Sequence, residues 1–226
     1  MCGRYVTKAA AELERFWNIT RGGIDFGGAF NAAPTQRLPI IRLHQGERAL
    51  TLMRWGLVFS SAKDTKAGAN LINARGETVA IRPAFRAAFM RRRCLVPMTG
   101  YYEWQQTSAG KVPHYIHLLN AEQFAVAGLY EYWPGRDGKE SVESFTVVTT
   151  EPNEMTVKIH DRMPVILPAD AQAQWLDPRN AETEGLRRLL RPYPAEEMRA
   201  YPVSLRVNSA RNEGPELIEP VNDPRA

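Results

Sequence analysis

Of the two cysteines in the 226 residues, Cys2 follows the initiator methionine, and that position gives it a chemistry Cys94 lacks. The initiator is removed when the next residue is small, and cysteine qualifies. Removal leaves an α-amine and a thiol on adjacent carbons. The amine titrates near about 7.7–8.0, against about 10.4 for lysine, so much of it is nucleophilic at neutral pH. With an aldehyde, the amine forms a Schiff base and the thiol then closes on the same carbon as a five-membered thiazolidine. Chain ends are ordinarily frayed and unimportant, so the neighbours matter. Gly3 permits close backbone approach, and Arg4 places a cation two residues on.

Three further segments carry groups that suit such a centre. In Leu71–Thr78, Asn73 can hydrogen-bond an amine or a sugar hydroxyl, and Arg75 can grip a phosphate. At a strand end, Asn and Arg are more often turn and surface residues, so these two alone are a weak signal. In Thr99–Trp104, Glu103 lies among aromatics on a predicted strand. Desolvation there raises a carboxyl pKa and suits it to acid–base work; an edge carboxylate facing water is the equal alternative. In Lys158–Pro164, His160 can shuttle a proton and Arg162 adds a second guanidinium fork. His44, His114 and His117 have no metal-ligand spacing with either cysteine, so no metal site is expected. Phosphate-binding glycine loops are lacking too, and no cofactor is expected.

The elements that must position these groups are short. A strand over 3–7 precedes a helix over 9–17 with Leu13, Phe16 and Trp17 on one face. Strands 38–44 and 49–55 pair across a Gln45-Gly46 turn, and 71–75 is extended. Pro83 opens a helix over 83–91. Strands follow at 94–98, 101–105, 115–119, 124–130 and 145–150, then helices over 152–160, 168–175 and 184–190. This pattern predicts one α+β domain spanning 1–226, with mainly antiparallel sheets curled towards a barrel and helices around it. Cys94, opening an apolar strand, is expected in the core.

The net charge of +4 points only weakly to a polyanion. Basic residues cluster at Arg82–Arg93 and Arg187–Arg191, and solvated helix faces account for them equally well. No apolar run approaches the roughly 20 residues that span a bilayer, and no basic-then-apolar leader opens the chain. A soluble, cytoplasmic protein without a membrane partner is the expectation.

Taken in order, the motifs resemble the SRAP family of abasic-site processing proteins. The resemblance rests on Met1-Cys2-Gly3-Arg4-Tyr5, Asn31 to Pro34, Arg54-Trp55-Gly56-Leu57, Ile72 to Arg75 with Glu77-Thr78, Gly100 to Trp104, Ile159 to Pro164, Pro202 to Ser204, and Val207-Asn208. It implies an SRAP-like fold and a monomer that acts on abasic sites in single-stranded DNA, at the nucleoid when bound. It implies a covalent thiazolidine between Cys2 and the sugar aldehyde, positioned by Asn73, with Glu103 as acid–base and His160 handling protons. It implies DNA contacts from Arg4, Arg75, Arg162, Pro34, Trp55, Phe59 and Thr149, and self-removal of Met1. The chain departs from the family at Val58-Phe59-Ser60-Ser61, where Ile-Pro-Ser-Trp is common; with Ser61 at the tryptophan position, either strand separation or stacking is weaker or Phe59 substitutes. Two alternatives remain: a non-covalent binder of single-stranded nucleic acid, and a cysteine peptidase using Cys2 and His160.

Overall fold

A computed structural model describes residues 2–20, 22–136, 140–180 and 182–222. In chain order the elements are β1 (Tyr5–Thr7), α1 (Ala10–Phe16), β2 (Ala29–Ala32), β3 (Arg37–His44), β4 (Glu47–Trp55), β5 (Asn73–Arg75), α2 (Pro83–Arg91), β6 (Arg93–Met98), β7 (Gly100–Thr107), β8 (Gly110–Leu118), β9 (Phe124–Trp133), β10 (Val142–Thr150), β11 (Met163–Pro164), β12 (Ile166–Leu167), α3 (Ala169–Leu176), α4 (Thr183–Arg188) and β13 (Met198–Pro202). The fold is α+β, as the strand spacing predicts.

Five strands close on themselves. β10 runs parallel to β4, and the ring continues antiparallel through β3, β6 and β9 back to β10. Its β3–β4 hairpin turns at Gln45 and Gly46, whose φ values of 53° and 85° are what a tight two-residue turn of this hand requires. β5 lies parallel to the last residues of β10. A second sheet, ordered β13-β8-β7-β1-β2, is antiparallel throughout.

Alternation along the barrel strands divides the core. Ile41, Leu95, Ala127 and Val148 pack with Leu13, Phe85, Phe89 and Trp175 of the helices. Their neighbours Ile40, Cys94, Val126 and Val147 pack with Cys2, Tyr5 and Tyr101 in a seam between barrel and second sheet. The far face of that sheet carries Val6, Tyr102 and Tyr115 under Val203 and Val207.

Three expectations are corrected. Phe16 is 45% exposed: at about 100° per residue it lies round the helix from Trp17, on the flank of the face that Leu13 and Trp17 bury. The stretch 152–160 holds only a single 3₁₀ turn at Thr156–Lys158. There the Asn153 side chain accepts the N–H groups of Met155 and Thr156 (3.2 and 2.8 Å), giving the backbone a partner other than a helix. Arg93 is no surface charge. It is buried, and its guanidinium donates to the carbonyls of Phe89, Met90, Trp175, Asp177 and Asn180, tying the ends of α2 and α3 together.

Candidate functional site

Cys2 lies at the mouth of the seam, where the chain enters between the two sheets, and it is fully buried. Each sheet contributes one polar side chain to it. From the barrel side, Asn73 Nδ2 donates to the Cys2 carbonyl oxygen at 2.9 Å. Asn73 is held there because the Trp55 indole N–H donates to the carbonyl of Ile72 (2.9 Å), and β5 pairs with β10. Asn73 Oδ1 is buried and accepts no hydrogen bond among the described residues, so it stands ready for a donor.

From the second sheet, β7 turns Tyr101 towards the seam and Tyr102 towards the far face. Glu103 shares the face of Tyr101. It is 2% exposed, and burial pushes its carboxyl up to about 7. The same burial, reinforced by the Glu103 charge, pushes the Cys2 thiol well up. A thiol held protonated thus lies within electrostatic reach of a carboxylate poised near neutrality.

His160 approaches from the loop after the 3₁₀ turn, with Nε2 3.9 Å from Glu103 Oε2. Its Nδ1 has two neighbours with opposite demands. The Arg162 backbone N–H donates to it at 3.0 Å, whereas Asp161 Oδ1 at 2.9 Å would need a proton on it. Asp161 is 86% exposed and free to turn to water, while the amide is fixed in the chain. Nδ1 is therefore the acceptor, and Nε2 carries the proton towards Glu103. Burial holds the imidazole below its ordinary pKa, so it is neutral at pH 7.

The arginines separate. Arg75 stands two residues beyond Asn73 on the same side of β5 and is exposed. The guanidinium of Arg162 clamps both oxygens of Glu77 (2.6 and 2.9 Å) and donates to the carbonyl of Thr149 (2.8 Å). Arg4 points to the far face of the second sheet. It donates to Asn31 Oδ1 and to the carbonyls of Val207 and Asn208, pinning β1 to the C-terminal segment. Pro34 is half-buried in the turn before β3, and Phe59 is half-buried against Val58, Ala62 and Trp133.

Two expected DNA contacts are corrected by burial. Trp55 is sealed in the core, edge-on to Tyr5 (5.1 Å between rings) and stacked with Phe145 (6.2 Å), and it supports Asn73 from below. Thr149 is 1% exposed and serves as acceptor for Arg162.

Sequence reasoning missed three groups. The hydroxyls of Tyr5 and Tyr101 are buried beside Cys2 with no hydrogen-bond partner among the described residues. Tyr101 was readable in principle, since it shares a strand face with Glu103. Glu77 stands in the Glu77-Thr78 motif without a role, because its partner Arg162 lies 85 positions away. Among the described residues no group of three His, Cys, Asp or Glu side chains gathers as metal ligands would.

A buried N-terminal cysteine between an amide and a near-neutral carboxyl, on two packed antiparallel sheets, defines a class, and comparison with known proteins agrees. The chain belongs to the SRAP family: the model for "SOS response associated peptidase (SRAP)" matches residues 1–210. It is 40% identical over 224 residues to the abasic site processing protein YoqW of Bacillus subtilis, covering 97% of this chain and 99% of that one. It is 31% identical to the abasic site processing protein HMCES of Xenopus tropicalis, covering 84% of this chain and 65% of the relative. A crystal structure of a Bacteroides thetaiotaomicron protein shares the fold with a TM-score of 0.88 at 26% identity, covering 97% of this chain and 100% of that one.

Proposed function

We propose that this protein processes abasic sites in single-stranded DNA by becoming covalently attached to them. The observation that carries the reading is Cys2 buried between Asn73 and a Glu103 carboxyl near pKa 7. Once Met1 is gone, the Cys2 amine attacks the aldehyde carbon of the ring-opened sugar. Water leaves, and an imine forms. Sγ then adds to the same carbon while the thiol proton ends on nitrogen, closing the thiazolidine without net redox change. About half the Glu103 population is protonated at neutral pH, so the residue can give a proton to the departing oxygen and take one from the thiol. Neutral His160, with its proton on Nε2, donates towards the sugar oxygen. Asn73 fixes the Cys2 backbone and offers Oδ1 to the amine. Arg75 binds a flanking phosphate without reading bases, Arg162 reaches the other only by exchanging Glu77 for it, and each chain carries a complete set, so one copy per lesion suffices. Self-removal of Met1 belongs to the same reading.

The test is a denaturation-resistant adduct on an abasic single strand. The processed wild type forms it; Cys2→Ala and a form that keeps Met1 do not; Cys2→Ser retains the amine and yields an adduct only after borohydride reduction. No adduct from the processed wild type sinks the reading. Cleavage of a peptide substrate by the Met1-bearing form would instead favour the peptidase. Mass spectrometry tests self-processing on chains purified with Met1 still attached: the wild type loses Met1 on incubation alone, and Cys2→Ala keeps it.

A further inference from the structure

Arg187 and Arg188 are exposed on the last turn of α4 and take no part in the site described above. Basic residues at that position ordinarily complement the negative end of a helix. Here the fold places them at the edge of the Cys2 centre. With Gly76, Glu77, Glu184 and Leu190 they line a cleft of about 300 Å³ that begins at the residue after Arg75. Gly76 makes the approach possible: a Cβ there would sit 3.2 Å from the Leu190 side chain and 3.3 Å from the carbonyl of Thr149. The Gly76 N–H donates to Thr149 O (2.8 Å), and the Thr150 hydroxyl donates to Leu190 O (3.2 Å). β5, β10 and the end of α4 are thereby fastened together.

The cleft lining itself carries two carboxylates, Glu77 and Glu184, and two guanidinium groups, Arg187 and Arg188, and the positive excess comes from Arg75 and Arg162 at its margin. Glu184 is engaged by Arg187 at 3.1 Å and Glu77 by Arg162, so both carboxylates are already paired. Arg75 and Arg188 make no salt bridge among the described residues. Guanidinium groups on a cleft that opens one residue beyond Arg75 suit a phosphodiester backbone, whose charge they meet without reading bases.

We propose that single-stranded DNA leaving the Cys2 centre runs past Arg75 into this cleft, with Arg187 and Arg188 holding phosphates of one flank of the lesion. The proposal rests on the crosslinking reading and extends it by naming where that flank lies.

The test uses the full chain and two strands bearing a tetrahydrofuran abasic analogue, which has no aldehyde, at the 5′ or the 3′ end. Non-covalent affinity is measured across a salt series for wild type, Arg187→Ala/Arg188→Ala and Arg187→Lys/Arg188→Lys. The alanine pair weakens binding of one polarity several-fold and flattens its salt slope by about 1.4, two contacts at roughly 0.7 each for single strands. The lysine pair restores the slope. Equal loss for both polarities, no loss for either, or a lysine pair as weak as the alanine pair overturns the proposal. Because no covalent step is involved, these outcomes are distinct from a failure to crosslink.

Discussion

The two cysteines are equally buried and share one packed seam, yet the groups immediately beside them differ. Both are fully buried, and burial pushes both thiols well up. Cys94 sits on β6 against Gly128 of β9, among Val96, Val126 and Phe145, and its backbone carbonyl accepts the Trp175 indole N–H. Cys2 is ringed by polar atoms that lack partners: Asn73 Oδ1, Tyr5 OH and Tyr101 OH. Buried polar groups are normally satisfied, because leaving one unpaired costs about 1–3 kcal/mol. The rule is broken on both sides: Tyr5 OH lies within reach of both thiols, and Arg42 Nε and Thr146 Oγ1 of the barrel strands also lack partners among the described residues. What sets Cys2 apart is Asn73 on its carbonyl and the Glu103 carboxyl within electrostatic reach of its thiol. Burial therefore does not separate the two thiols; the polar side chains beside Cys2 do.

The widest gap between the two regions is chemical. Cys2→Ala abolishes the adduct, whereas Cys94→Ala leaves its yield within about twofold and lowers stability by about 1 kcal/mol, as small losses in a packed core do. Adduct gels and chemical denaturation of both variants read this directly, and an unchanged adduct in Cys2→Ala would erase the distinction.

Next comes the carboxyl that only the seam possesses. Glu103→Gln slows adduct formation by roughly 10²–10⁴-fold, the usual range for a lost acid–base group. It also changes stability in a defined sense. The carboxyl ionises near 4.5 when unfolded and near about 7 in the fold. Between those values the native state holds the proton and the unfolded state releases it, so wild-type stability falls as pH rises through this window. Glu103→Gln lacks the fall and gains about 3 kcal/mol on the wild type between pH 4 and pH 8, read from denaturation midpoints at each pH. A constant difference across that range would remove Glu103 from its proposed state.

A smaller effect probes the packing around Cys94. A Cβ on Gly128 would lie 2.8 Å from Cys94 Sγ and 2.9 Å from Val96 Cγ2. Gly128→Ala costs about 1–3 kcal/mol by overpacking. Adding Cys94→Ala recovers part of it, and a thermal-melt double-mutant cycle measures the coupling. The adduct is unaffected in both variants.

The smallest effect separates two arginines that look alike in sequence. Arg75→Ala flattens the salt dependence of single-strand binding by about 0.7, one phosphate contact. Arg4→Ala acts on stability, because its donors are spent on Asn31, Val207 and Asn208. An Arg4→Ala slope change as large as that of Arg75→Ala would return Arg4 to the DNA surface.

Much of the local structure was readable. Pro83 at the first turn fixed the helix over 83–91 to the residue, and the Gln45-Gly46 turn fixed the hairpin around it. These succeed because backbone preference at one or two positions decides them. The helix expected over 152–160 fails because an Asn side chain outcompetes the helical carbonyls, a contest settled by geometry rather than composition. Trp55 and Arg93 were misread alike. An aromatic and a guanidinium suit a surface as well as an interior, and their burial depends on distant partners: Ile72 lies 17 residues from Trp55, and Trp175, Asp177 and Asn180 lie 82 to 87 residues from Arg93.

Position offers Cys2 an amine beside its thiol once Met1 is gone, and residue type together with the SRAP motifs nominates Asn73, Glu103 and His160. Those are properties of covalent structure, and they survive without a fold. Only the tertiary structure brings a strand of the barrel and a strand of the second sheet to either side of Cys2. Only it dries the seam enough to hold a glutamate near neutrality, and only it turns Trp55 and Thr149 inward while leaving Arg75 at the lip. Desolvation and long-range pairing depend on what is packed against a group, and that is set by contacts between residues far apart in the chain.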